Sequence, residues 1–359
     1  PLEYIDKPAD NTHSRGVKAV DDRSFFDECN RNYHFQIEYF ETRLTPKSVA
    51  MAKGFDAVCA FVNDNIDDKT VDELYNMGVK LIAMRCAGYN NVSLKAAYDR
   101  ITVVRVPGYS PYAVAEYALA MIMTLNRSLH RAYNRIRENN FSINGFLGFD
   151  LRGKTFGIIG TGKIGLVFAE ILQGFGVKII AYDLFPNHKA AKQYNFEYLP
   201  LEEIYRQADV ISLHCPLTPE NVHMINHDAI KMMKKGVFIV NTSRGKLIDT
   251  KALIDGLKNK HIGAAALDVY EEESDYFFED LSNHAIDDDK LARLMTFPNV
   301  LVTSHQAFFT RQAMTNIAQV TLDNIRDFFG PKLLPNAICA RCDGSRNCPP
   351  ANTPCARKA

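Results

Sequence analysis

Apolar and polar residues follow two rhythms along this chain, and the switches between them outline its elements. Short apolar runs at Phe55–Val62, Val79–Met84 and Val103–Val106 are bounded by Gly, Pro, Asp or Asn. Runs of that length, rich in β-branched residues, predict buried strands of a parallel sheet. Between them, Val71–Met77 carries the 3–4 residue spacing of a short helix, with Gly78 as its stop. Val17–Val20 and Phe35–Phe40 read as two earlier strands, and residues 1–15 as a loose polar arm. Strands alternating with helices predict a small α/β unit at the N-terminal side.

A long helix is predicted next. Ser110 suits an N-cap and Pro111 the first helical position. Apolar residues from Ala113 to Leu125 cover most of its circumference, and the pattern extends towards Arg137. Such a helix is expected to be buried on more than one side, partly against another subunit. The strand rhythm then returns at Thr155–Ile159, Val177–Tyr182, Asp209–His214, Val237–Val240, Ile262–Leu267 and Val300–Val302, and Ala307–Phe329 reads as a final helix. Asp183, Pro216, Arg244, Asp268 and His305 stand at or just past the ends of these runs. Open parallel sheets bind ligands beyond the carboxyl ends of their strands.

Composition narrows the classes. A chain of 359 residues suggests two domains. Lys plus Arg and Asp plus Glu both number 42, so neither nucleic acid nor an anionic membrane is an expected partner. No apolar run approaches the roughly 18 residues that a membrane span needs. Of the eight cysteines, Cys29, Cys59, Cys86 and Cys215 are scattered as in a protein of a reducing compartment, whereas Cys339, Cys342, Cys348 and Cys355 crowd the last stretch. That spacing supports a disordered extension better than a zinc or redox site. A cytoplasmic location is expected, although the chain begins Pro-Leu-Glu, which leaves room for a removed targeting segment.

The most specific motif is Gly160-Thr161-Gly162-Lys163-Ile164-Gly165, placed between a strand and a helix and followed by a strand that ends at Asp183. Gly160 permits a tight turn, Gly162 lets backbone amides approach a pyrophosphate, and Gly165 lets helix and strand pack closely. The helix N-terminus favours the diphosphate charge. Asp183 would accept bonds from ribose hydroxyls and repel a 2′-phosphate, which favours NAD over NADP. Arg244, Glu273 and His305 together suit reduction of a 2-keto acid. Arg244 can fork onto carboxylate and carbonyl, His305 can supply the proton, and Glu273 can orient the imidazole. Each has a bland alternative, and Glu273 lies in a run, Glu271–Glu273, of the kind that is usually solvated.

Longer stretches carry a family likeness. RCAGYNNV (85–92), VRVPGYSP (104–111), GKTFGIIGTGKIG (153–165), DVISLHCPLTPEN (209–221), VNTSRGKLID (240–249), ALDVYEEESDYFFEDLSN (266–283) and SHQAF (304–308) resemble the D-isomer-specific 2-hydroxyacid dehydrogenases, the fermentative bacterial type in particular. The resemblance implies an α/β fold of two Rossmann-like domains with parallel sheets, one flavodoxin-like and catalytic, one NAD-binding, and an active site in the interdomain cleft. It divides the chain into a first catalytic part (1–109), the NAD-binding domain (110–304), a returning catalytic helix (305–334) and a Cys-rich tail (335–359).

The same resemblance implies Arg244, Glu273 and His305 as catalytic residues. It implies Ala87, Gly88, Tyr109, Arg244 and Phe308 around the substrate, with the Cys86–Gly88 loop presenting amides to the carboxylate. Gly160, Gly162, Lys163, Ile164, Gly165, Asp183, Cys215, Pro216, Asn221, Thr242, Ser243 and Asp268 are the implied cofactor contacts. No metal is implied. Pyruvate reduced to D-lactate is the expected reaction, in a homodimer or higher homo-oligomer. The alternatives are a larger 2-keto acid such as phenylpyruvate or 2-ketoisocaproate, and an NAD-sensing interaction module of the corepressor kind that shares this fold.

Overall fold

The computed structural model describes residues 2–6, 22–273, 276–278, 280–330 and 332–340. The chain forms two compact units: Pro1–Ser110 with Thr310–Ala359, and Pro111–Phe309.

The first unit is built on a six-stranded sheet. Its strands are β1 (Leu2–Asp6), β2 (Gln36–Phe40), β3 (Ala57–Ala60), β4 (Leu81–Met84), β5 (Thr102–Arg105) and, from the far end of the chain, one more at Ala337–Ile338. β3, β4 and β5 are parallel and β3 and β4 are wholly buried, as their unbroken apolar runs require. β1 lies antiparallel between β2 and β3, and Ala337–Ile338 pairs antiparallel with β5. The expected loose arm therefore begins with a strand. Its five residues lack a local signature, and the two neighbouring strands specify it. The Val17–Val20 strand lies outside the described residues. The helix Arg311–Phe329 packs Ala318, Leu322 and Ile325 with Phe26, Cys59, Ala83 and Val104.

The second unit carries a seven-stranded parallel sheet. In chain order its strands are β6 (Thr155–Ile159), β7 (Lys178–Tyr182), β8 (Glu197–Tyr198), β9 (Val210–Leu213), β10 (Val237–Asn241), β11 (Ile262–Leu267) and β12 (Val300–Val302). Their spatial order is β12-β11-β10-β9-β6-β7-β8. The order reverses between β6 and β9, and that switch point is where a doubly wound sheet opens a crevice. The Ala337–Ile338 strand of the first unit is β13.

The long helix is broken. It runs Pro111–Asn126, and a second helix occupies Leu129–Arg137. Between them Ser128 adopts φ 49, a left-handed conformation that ends an α-helix. Asn126 is buried and exchanges two hydrogen bonds with Phe149, donating to its carbonyl at 2.7 Å and accepting from its amide at 2.9 Å. Ala115, Ala118, Met121, Ile122 and Leu125 sit in this unit's own core, beside Phe156, Phe168 and Val240. Over the first helix, this apolar coverage serves the interior of the unit. Downstream, Leu129, Tyr133, Ile136, Phe141, Ile143 and Leu147 are exposed. Among the described residues no helix is long and apolar enough to cross a membrane, and no cluster of side chains could hold a metal ion.

Candidate active site

The glycine turn follows β6 at the switch point, and its three glycines carry three different constraints. Gly160 has φ +95, and a Cβ there would lie 2.5 Å from the Cys215 amide nitrogen. A Cβ on Gly165 would fall 2.0 Å from the Gly160 carbonyl, so helix and turn are in backbone contact. Gly162 faces open space and caps the helix Lys163–Leu172. Two glycines therefore close the turn and the third leaves its helix N-terminus uncovered, with Lys163 exposed and Ile164 half-buried beside it. This is a cradle suited to a diphosphate.

Asp183 directly follows β7 and is hydrogen-bonded to the turn. Its carboxylate accepts from the Thr161 amide at 2.6 Å, the Thr161 hydroxyl at 3.0 Å and the Phe185 amide at 2.8 Å. Beyond β9, burial pushes the Cys215 thiol up to about 11, so this cysteine is a neutral packing group. Asn221 folds the next loop, donating to the Pro216 carbonyl and accepting from the Thr218 amide, both at 2.8 Å. The Ser243 hydroxyl donates to the Cys215 carbonyl. Thr242 is buried, and its hydroxyl has no hydrogen-bond partner among the described residues. An unmatched polar atom at a strand end of this sheet fits a bound dinucleotide.

Arg244 follows β10. Its guanidinium donates to the Ser243 carbonyl at 2.7 Å, and the Asn241 side chain holds the Arg244 carbonyl at 2.8 Å. Among the described residues this half-buried cation has no carboxylate partner, so it remains available to an anion. Gly245 lies flat on the loop that follows β11, since a Cβ would fall 2.0 Å from the Tyr270 carbonyl.

His305 sits just past β12 with φ 51. A left-handed histidine is strained and persists only where its surroundings impose it. The imposing residue is Asp268. Wholly buried at the end of β11, Asp268 accepts from the Thr303 hydroxyl at 2.6 Å and from the Gln306 and Ala307 amides at 2.9 Å each. Its own carbonyl takes the His305 amide at 2.7 Å. Burial pushes its carboxyl up, and those hydrogen bonds offset only part of the rise. Both oxygens are thus engaged by the histidine loop, so Asp268, one of the expected cofactor contacts, also holds the backbone around His305.

Glu273 meets His305 from the other side. His305 Nδ1 lies 3.0 Å from its Oε1, and Glu273 Oε2 accepts from the Tyr270 amide at 3.1 Å. The imidazole Nε2 has no partner among the described residues. Phe278 lies beside the ring at 6.1 Å between centroids. Phe308 is buried, edge-on to Phe309 at 6.1 Å.

The remaining expected residues belong to the first unit. Ala87 and Gly88 lie in the half-buried loop after β4, and their amides have no acceptor among the described residues. Asn91 staples that loop to the Phe61 carbonyl at 2.8 Å and the Asp64 carbonyl at 3.0 Å. Arg85 anchors its start, paired with Asp22 at 2.7 Å and lying over the Phe61 ring at 4.2 Å. The carbonyl of Tyr109 accepts from Asn316 at 2.7 Å.

Residues 119–307 match the model of the D-isomer specific 2-hydroxyacid dehydrogenase NAD binding domain. The D-lactate dehydrogenase of Escherichia coli is 50% identical over 318 residues, which span 88% of this chain and 96% of that protein. The chain belongs to the D-isomer-specific 2-hydroxyacid dehydrogenases. Its fold agrees with that membership: the apo-structure of the E. coli D-lactate dehydrogenase has a TM-score of 0.81 at 48% identity, covering 88% of this chain and 96% of that one. The pyruvate reductase of Chlamydomonas reinhardtii has a TM-score of 0.85 at 41% identity, covering 89% and 96%. The protein is therefore an NAD-dependent oxidoreductase of 2-hydroxy acids.

Two features of this region escaped the sequence reading. Glu271, in a run of the kind that is usually solvated, is half-buried, holding His223 Nε2 at 2.6 Å and the Thr250 amide at 3.0 Å. The positioning role of Asp268 was also missed. An Asp at a strand end two dozen or more residues before the histidine gives no local signal of either.

Proposed function

We propose that this protein is a D-lactate dehydrogenase that reduces pyruvate with NADH, reversibly. The observation that carries the mechanism is the His305–Glu273 pair, with Nδ1 held by a carboxylate and Nε2 left open. When bound, NADH would supply the hydride for the carbonyl carbon. Arg244 binds the substrate carboxylate and polarises the carbonyl: among the described residues it has no carboxylate partner, and the bond to the Ser243 carbonyl leaves other guanidinium N–H groups for that task. The Ala87 and Gly88 amides receive the carboxylate. His305, protonated, gives its Nε2 proton to the carbonyl oxygen. Glu273 keeps Nδ1 protonated throughout and stabilises the imidazolium before transfer. In the reverse direction the same Nε2 accepts the hydroxyl proton. Gly160–Gly165 takes the diphosphate and Asp183 the adenosine ribose, with Thr242 and Ser243 beside the cofactor.

A cytoplasmic homodimer belongs to this reading. Cys29 and Cys215 are free thiols, as in a reducing compartment. The exposed apolar residues from Leu129 to Leu147 suit a surface covered by a second copy. Sedimentation at low concentration tests the dimer, and a monomer would remove it.

The deciding experiment is a panel of 2-keto acids with NADH and NADPH, followed by chiral analysis of the product. Pyruvate giving D-lactate with NADH is expected. A higher kcat/KM for phenylpyruvate or 2-ketoisocaproate would move the assignment to a larger substrate.

A further inference from the structure

The loop after β4 presents two amides that have no acceptor among the described residues, and something must hold its peptide planes in place. The backbone staples from Asn91 act at the far end of the loop. At the amides themselves the contact comes from Arg105, the last residue of β5, which stands beside Met84 in the sheet register. Its Nη1 donates to the Ala87 carbonyl at 2.9 Å, and its guanidinium lies over the Tyr89 ring at 5.1 Å. The Ala87 carbonyl and the Gly88 N–H belong to one planar trans peptide and point in opposite directions. A donor that fixes the carbonyl behind therefore aims the N–H forward, and a charged donor also polarises that peptide.

Arg105 is itself clamped by the C-terminal segment. Its amide donates to the Asn336 carbonyl at 3.1 Å, and its carbonyl accepts from Asn324 at 3.0 Å. Asn336 donates in turn to the Asn324 side chain at 2.8 Å, just before β13 pairs with β5. Among the described residues Arg105 forms no ion pair, so its half-buried positive charge lies beside the loop uncompensated.

We propose that Arg105 is the positioning residue of the substrate-carboxylate loop: it orients the Ala87–Gly88 peptide so that its N–H meets the anion, and the segment around Asn336 holds Arg105 in register. This rests on the reading above that the Ala87–Gly88 amides receive the carboxylate.

The test compares Arg105→Met, Arg105→Lys and Gly88→Pro, the last of which deletes the amide N–H. Steady-state kinetics with pyruvate are paired with the Kd of oxamate, an unreactive carboxylate analogue, on the NADH complex. Arg105→Met is expected to raise both pyruvate KM and oxamate Kd about 10- to 100-fold, the scale of a lost charge-assisted hydrogen bond. NADH affinity is expected to stay within about twofold and kcat within about threefold of wild type, because uniform substrate binding is what is lost. Arg105→Lys, which keeps the charge, is expected to fall between Met and wild type, and it carries the test alone if the Met variant does not fold. Wild-type KM and Kd in a folded Arg105 variant, with Gly88→Pro impaired, would overturn the proposal and leave the loop reading standing. Wild-type values in Gly88→Pro as well would overturn the loop reading itself.

Discussion

The second unit holds two histidine–glutamate pairs that a sequence cannot tell apart. His305–Glu273 and His223–Glu271 draw their acids from the same three-residue run, and both histidines are left-handed, at φ 51 and φ 56. They differ in which nitrogen is used. His305 spends Nδ1 on its glutamate and keeps Nε2 open, whereas His223 spends Nε2. Burial differs too, with side-chain exposures of 16% for His305 and 42% for His223. The glutamates differ in their second bond. Glu273 returns to the Tyr270 amide in its own loop, whereas Glu271 reaches the Thr250 amide at the start of another helix. On the proposed mechanism one pair passes a proton, while the other ties loops together. A shared pair of residue types therefore says little about role until the engaged atom is known.

Several substitutions sharpen this contrast. Arg244→Gln removes the forked donor that the proposed mechanism assigns to the substrate, and kcat/KM for pyruvate should fall by roughly 10²–10⁴, the scale of two charged hydrogen bonds. NADH binding, read by fluorescence, should be unchanged. Glu273→Gln keeps the shape but removes the charge facing the imidazolium, and kcat should fall roughly 10- to 100-fold, equivalent to about 1.4–2.8 kcal/mol. Glu271→Gln should leave kcat within about threefold and lower Tm by only a few degrees, as expected for a partly exposed pair. If Glu271→Gln impaired kcat as much as Glu273→Gln, the division of roles would be wrong.

A third histidine, His214, contributes to the acid sensitivity of the unit. Its ring lies 5.0 Å from Phe168 and shares a hydrogen bond with Ser212, and burial pushes it down to about 3 although the residue as a whole keeps some exposure. The folded value lies below the ordinary value of 6.5, so the unfolded chain binds the proton more readily. The stability associated with the neutral ring is complete above pH 6.5 and is lost as pH falls towards 3. Thermal melts between those limits should show a steeper acid decline in wild type than in His214→Asn, and equal slopes would contradict this origin.

The sequence made the inner strands and the cofactor turn legible for the same physical reason: burial and close approach restrict residue choice on the spot. Ala57–Ala60 and Leu81–Met84 can only be interior, and Gly160 and Gly165 meet backbone atoms where any side chain would collide. The edges were not legible. Leu2–Asp6, Glu197–Tyr198 and Ala337–Ile338 are strands because a neighbour pairs with them. The helix break at Ser128 also depends on a distant partner, Phe149, that fixes Asn126. At the site, Arg244, Glu273 and His305 were recognisable as residue types, but the placement of His305 by Asp268 and of Ala87 by Arg105 crosses strand boundaries. Cys342, Cys348 and Cys355 lie outside the described residues.

The most direct measurement mixes each NADH-loaded variant with excess pyruvate and follows the loss of NADH absorbance in a single turnover. His305→Gln should slow that decay by roughly 10²–10⁴, the contribution of a positioned general acid, while His223→Gln stays within about threefold of wild type. A wild-type decay in His305→Gln would contradict the assignment of the proton to His305.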